Sequence, residues 1–155
     1  MVRIARYLPW VEAIFLLMLA AGCVMLYQNL EGGLLIIALV CLTALYFISA
    51  YKPIEITSDG NEKFGTKELL AWTILPKLCW ISCAVSTLGW LLFFINPDNV
   101  GYKNMLMIGA LSLGAALVMI AFLISTGVRQ MRVLLPVMFR ALPLLSADCY
   151  LLYFG

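Results

Sequence analysis

The chain has 155 residues, of which 65% are apolar and only 12% are charged, and its mean hydropathy is +1.04. Soluble domains contain about 45–50% apolar and about 25% charged residues, so this composition excludes a water-soluble domain and indicates an integral membrane protein. The formal charge of +2 gives no indication of nucleic-acid binding, and the absence of histidine removes the commonest general base and metal ligand.

Four apolar stretches are long enough to cross a membrane: 8–27, 34–51, 76–95 and 105–125. A hydrocarbon core of about 30 Å needs about 20 helical residues, and backbone groups in lipid must form their hydrogen bonds within the helix. The first stretch resembles a signal sequence, since Arg3 and Arg6 precede it. Because Cys23 is followed by apolar residues, however, we interpret this stretch as a retained span.

The basic residues predict the orientation in the membrane. Lys and Arg accumulate in cytoplasmic loops, and Lys103 alone lies in the connection 96–104 on the other side. We therefore expect the N-terminus and the loop 52–75 to be cytoplasmic, in a bacterial cytoplasmic membrane. Nine of the ten basic residues share this side: Arg3, Arg6, Lys52, Lys63, Lys67, Lys77, Arg129, Arg132 and Arg140.

A weak internal repeat suggests how the four spans are arranged. Matching residues recur at an offset of 67 positions, and each half of the repeat contains one outward and one returning helix. Such a pattern is typical of parallel repeats, so we predict two tandem helical hairpins packed side by side. The matches are Leu8-Pro9, Leu75-Pro76 and Leu142-Pro143, together with Gly22 and Gly89, and Asn29 and Asn96.

The C-terminal segment 133–155 is apolar but contains Pro136, Arg140, Pro143 and Asp148. Proline interrupts helical hydrogen bonding, and a charge at the bilayer centre costs at least about 2.5–3.5 kcal/mol. We therefore predict a proline-broken helix that is interfacial or re-entrant, and we expect a partner protein to cover it. At the interface both charges would be solvated. Inside the membrane they would pair with each other or with a partner's charge.

Glu12 is the only acidic residue in the four predicted spans. A carboxylate inside a membrane is a functional hypothesis in itself, here as the ion-coupling group of a small oligomeric transporter or channel. In this feature the chain resembles the small multidrug transporters, which have four helices and a glutamate in the first, but which lack a long central loop. The alternative is structural: Glu12 lies one turn inside the boundary, where it could cap the helix and reach the headgroups or Arg6.

Small residues at helical spacing indicate close helix packing. Cys79 and Cys83 lie four residues apart on one face, with Ser86 nearby, and Ala110 and Gly114 form a small-xxx-small pair. Such faces suit packing within a helical bundle or against another subunit. The thiol pair lacks the spacing of redox cysteines, so we interpret it as packing.

Together these features predict an all-α membrane protein and a non-catalytic role. We expect a small subunit or scaffold of a larger membrane complex, acting through helix packing and through its C-terminal segment. The expected partners are the lipid bilayer and other membrane subunits or further copies of the chain. No catalytic group, cofactor or metal site is predicted, and the alternative function is the transporter or channel with Glu12 as its coupling group.

Overall fold

The computed structural model describes residues 2–28, 32–51, 73–98, 100–125 and 135–154. These residues form five α-helices and contain no β-strand. The helices are α1 (Val2–Tyr27), α2 (Gly33–Ala50), α3 (Leu75–Ile95), α4 (Gly101–Ser125) and α5 (Leu135–Phe154).

Each of the five helices is long and apolar enough to cross a membrane, which is consistent with the predicted membrane class. The predicted span 34–51 is shifted by one residue relative to α2, and 76–95 differs from α3 only by starting one residue later, whereas α4 begins four residues before the predicted 105. Most of the predicted loop 52–75 lies outside the described residues.

The predicted break in the C-terminal segment is wrong, because α5 runs without interruption through Pro143. Proline lacks one hydrogen-bond donor, but packing on both sides of it compensates for that loss. Val137 and Ala141 precede Pro143 and are buried in the apolar core, while Leu151 follows it and is buried near the opposite end of the helix. Tertiary contact therefore keeps continuous a helix that its sequence alone would interrupt.

Consecutive helices alternate in direction, with α3 at the centre. α3 packs against α2, α4 and α5, whereas α1 packs mainly against α2. α5 runs in the same direction as α3. Arg140, in the first half of α5, contacts Trp80 in the first half of α3, and Asp148, in the second half of α5, contacts Trp90 in the second half of α3. The contacts that fix these directions are Gly22 with Leu35, Thr43 with Thr87, Tyr46 with Trp80, Ser86 with Gly109, Arg140 with Trp80, and Asp148 with Trp90.

Gly22 allows α1 to approach α2 at backbone distance. A Cβ built on Gly22 would lie 2.8 Å from Leu35 Cβ and 2.9 Å from the Leu35 Cα and N atoms. Small residues permit this kind of contact between membrane helices. Gly114 on α4 is different, because a Cβ there would meet nothing within 4 Å.

We expect Gly22→Ala to destabilise the protein by about 1–3 kcal/mol, because backbone atoms of α2 would have to move away from the added methyl group. Gly114→Ala is the matched control and should not lower stability, since its methyl group points into open space and alanine favours helix. Unfolding of both variants in detergent micelles measures the difference. Equal stabilities would contradict the close α1–α2 contact.

Candidate functional site

Glu12 and Arg140 form an ion pair between the first and last helices. The Arg140 Nε and Nη2 groups donate to Glu12 Oε1 and Oε2 respectively, so the guanidinium and the carboxylate meet in a two-bond arrangement. Glu12 is only 4% exposed, because other parts of the bundle cover its side chain. Arg140 pairs with a residue 128 positions away in the chain, and not with Asp148.

Two aromatic residues surround this ion pair. The Arg140 guanidinium carbon lies 5.4 Å from the centroid of the Trp80 ring, which is a cation–π distance. The buried Tyr46 ring packs beside Trp80, with 5.7 Å between the two ring centroids. Residues of α1, α2, α3 and α5 therefore meet at one level, and we call Glu12, Tyr46, Trp80 and Arg140 the charged layer.

Asp148 is the centre of a second polar group, about 12 Å further along α5 at 1.5 Å per helical residue. Its side chain is fully buried. The Trp90 Nε1–H group donates to Asp148 Oδ1 at 2.9 Å, and the Ser86 hydroxyl donates to Oδ2. Both donors belong to α3, so this carboxyl fixes α5 against the central helix. We call Ser86, Trp90 and Asp148 the carboxyl site.

Gly109 of α4 closes the carboxyl site on a third side. A Cβ at Gly109 would lie 3.1 Å from the Ser86 N, Cα and Oγ atoms, so the two helices touch at Ser86. Ser86 itself is fully buried. Because any larger residue at position 109 would push α4 away, the absence of a side chain there keeps Ser86 packed beside Asp148.

The structure turns Arg140 and Asp148, predicted to face a partner protein, toward other helices of the same chain. Cys79 and Cys83 are fully buried in the apolar core. Ala110 is half-buried and Gly114 faces open space, so this small pair does not pack closely inside the described bundle.

Sequence reasoning does not identify three residues of the charged layer and the carboxyl site, namely Tyr46, Trp80 and Trp90. A tyrosine or tryptophan near a membrane surface is commonly an interfacial anchor, and Trp90 fits that pattern in the sequence. The available signal is the four-residue spacing of Ser86 and Trp90, which places both on one face of α3. Their polar partners lie on other helices, so the spacing alone does not identify them.

We expect Ser86→Ala to destabilise the protein by about 1–2 kcal/mol, because the Asp148 carboxyl loses a buried donor. Ser112→Ala is the matched control, since the Ser112 hydroxyl donates only to carbonyls of its own helix, Ile108 at 2.7 Å and Gly109 at 3.0 Å. Unfolding in detergent micelles compares the two. If Ser112→Ala is as damaging as Ser86→Ala, the hydrogen bond to Asp148 does not contribute to stability.

The charged layer and the carboxyl site are held together by an ion pair, a cation–π contact and hydrogen bonds. Among the described residues, no group of three or more His, Cys, Asp and Glu side chains could hold a metal ion. The described buried side-chain N and O atoms all have a hydrogen-bond partner.

Comparison with protein-family models, with curated proteins and with solved structures finds no match for this chain.

Proposed function

We propose that this chain is a non-catalytic small subunit of a larger membrane protein complex. The supporting observation is the use of the charges inside the bundle: Glu12, Arg140 and Asp148 all bind side chains of other helices in the same chain. In the folded chain these three side chains therefore hold helices to one another. On this proposal, contacts with other molecules are made through the apolar outer surfaces of the helices.

Purification of the native protein in a mild detergent tests this proposal. The expected result is a stoichiometric complex that contains at least one other membrane protein or several copies of this chain. The double variant Glu12→Gln/Arg140→Gln, which lacks the ion pair inside the bundle, is the control. It shows whether assembly of the complex depends on that ion pair. Recovery of a stable lone monomer under conditions that preserve other membrane complexes would contradict the proposal.

For the topology, we propose five crossings with a cytoplasmic N-terminus in a bacterial cytoplasmic membrane, instead of four crossings and an interfacial tail. The distribution of basic residues supports the orientation. The direction of α5 supports the count, because α5 runs parallel to α3 and contacts it at both Trp80 and Trp90. If α3 crosses the membrane, a helix that runs beside it from Trp80 to Trp90 lies at the same depth in the membrane.

We expect a cysteine placed at Gly155 to react with a membrane-impermeant thiol reagent from the outside, and one placed at Asp59 to react from the cytoplasmic side. The native cysteines are first replaced by alanine, so that each chain carries a single thiol. Labelling in intact cells and in inverted vesicles distinguishes the sides. Labelling of both positions from the cytoplasm would instead support the interfacial or re-entrant tail.

A second candidate function is a small transporter or channel with Glu12 as its ion-coupling group. Its support is the burial of two acids, Glu12 and Asp148, inside a bundle of apolar helices. Flux through vesicles that contain Glu12→Gln, compared with the Glu12→Gln/Arg140→Gln pair, tests it. A coupling role predicts that both chains lose transport. Unchanged flux in the paired variant would leave Glu12 with only a structural role.

A further inference from the structure

We propose that Asp148 is a reversible proton-binding site inside the membrane bundle, built by Ser86 and Trp90 of α3. This inference goes beyond the subunit function and holds whether the chain acts alone or in a complex. Asp148 is fully buried, in an apolar helix long enough to span a membrane. The ligand is a proton, taken up by the carboxylate oxygen that faces Ser86.

The first argument is that no described basic side chain forms an ion pair with Asp148. Within the part of the chain that the structure describes, one ion pair is found, and it joins Arg140 to Glu12. An ionised carboxylate inside a bilayer is costly unless a charge of opposite sign accompanies it. Uptake of a proton removes that charge, and its release restores it. Arg140 is about 12 Å away along α5 and is engaged by Glu12.

The second argument is that the two hydrogen-bond partners serve both states of the carboxyl. The Trp90 indole can only donate, and an oxygen of either the acid or the carboxylate can accept from it at Oδ1. The Ser86 hydroxyl can donate to a carboxylate or accept from the O–H of an acid. When it accepts, its own hydrogen can turn to a backbone carbonyl of α3. The site therefore holds the carboxyl in place with or without the proton.

The third argument concerns the other titratable and charged groups near Asp148. α3 contributes the buried thiol of Cys83, and the charged residue of α4, Lys103, is exposed and lies beside the Tyr102 ring at 5.7 Å. On α5 itself, Cys149 is exposed and faces away from the bundle. The described neighbours thus supply no second carboxyl and no counter-ion, so a change in proton occupancy belongs to Asp148.

Carbon-13 NMR of the protein in lipid bilayers, with the aspartate carboxyl carbons labelled, tests the proposal. The chain has three aspartates, at positions 59, 98 and 148. In an Asp59→Asn/Asp98→Asn chain the remaining signal belongs to Asp148, without any change in the bundle interior. We expect this signal to move between the carboxylic acid and carboxylate positions as the buffer is changed from acidic to alkaline.

Two further measurements separate proton binding from a structural role. A hydrogen bond to an ionised carboxylate is stronger than one to the neutral acid, so Ser86→Ala should change the pH at which the Asp148 signal moves, whereas Ser112→Ala should not. A signal that stays at one position across the whole range would overturn the proposal. So would a signal that moves at constant pH when choline is replaced by sodium, because the carboxyl would then bind a metal cation. If Ser86→Ala leaves the midpoint unchanged, the assigned role of Ser86 is wrong.

Discussion

Replacement of Arg140 by glutamine should destabilise the protein by about 3–5 kcal/mol, the range typical of removing one partner from a buried ion pair. The carboxylate of Glu12, whose side chain is 5% exposed, would then remain in the bundle without its counter-charge. The change also removes the cation–π contact with Trp80. Reversible unfolding in detergent micelles, or steric trapping in bilayers, measures the loss.

The reverse change, Glu12→Gln, should cost less than Arg140→Gln. The Arg140 side chain is 25% exposed, and a long arginine can extend its charged end toward water more readily than a glutamate can. The double change Glu12→Gln/Arg140→Gln should be less damaging than the sum of the two, because no uncompensated charge remains. Lys103→Gln, at an exposed lysine of α4, is the control for loss of a positive charge.

This double-mutant cycle has a clear contrary outcome. Additive costs of the two single changes would mean that Glu12 and Arg140 do not interact in the folded protein. That result would remove the ion pair as the contact that joins α1 to α5.

Trp80→Ala should also destabilise the protein by about 3–5 kcal/mol, the usual cost of truncating a packed tryptophan. The Trp80 ring packs against two parts of the apolar core and lies within ring-contact distance of Tyr46. It also covers the Arg140 guanidinium. Loss of the indole would therefore leave a cavity at the level of the ion pair. Unfolding in micelles measures the effect.

Trp10→Ala is the matched control for Trp80→Ala. Trp10 is 73% exposed on α1, so its truncation removes contact with lipid and leaves the bundle interior intact. Trp80→Phe separates the two roles of the indole, since phenylalanine keeps most of the packing and a weaker cation–π face. If Trp80→Ala and Trp10→Ala have equal effects, Trp80 does not contribute to the charged layer as described.

Much of the architecture can be predicted from the sequence because the solvent is a bilayer. Four of the five helices follow from the length of apolar runs, since lipid leaves the backbone no alternative to internal hydrogen bonds. The same physics identifies Glu12 as unusual, because an acid in such a run must find a partner. None of this reasoning depends on where the helices lie relative to one another.

The fifth helix shows where local reasoning fails. Pro143 and two charges argue against a continuous membrane helix when the segment is considered alone. In the folded chain, Arg140 is neutralised by Glu12 and Asp148 is bound by Ser86 and Trp90. Each of the two charged side chains is thus bound by residues of another helix, which cannot be read from the local sequence of the segment.

The chemical class of this protein follows from its sequence: an apolar, helical chain with very few charges inside its helices. The choice of partners was decided by tertiary structure alone. Glu12 and Arg140 are 128 residues apart, and Asp148 meets Ser86 and Trp90, which lie 62 and 58 positions earlier in the chain. A buried charge demands compensation whatever its neighbours in sequence, but which group supplies it depends on how the helices pack against one another.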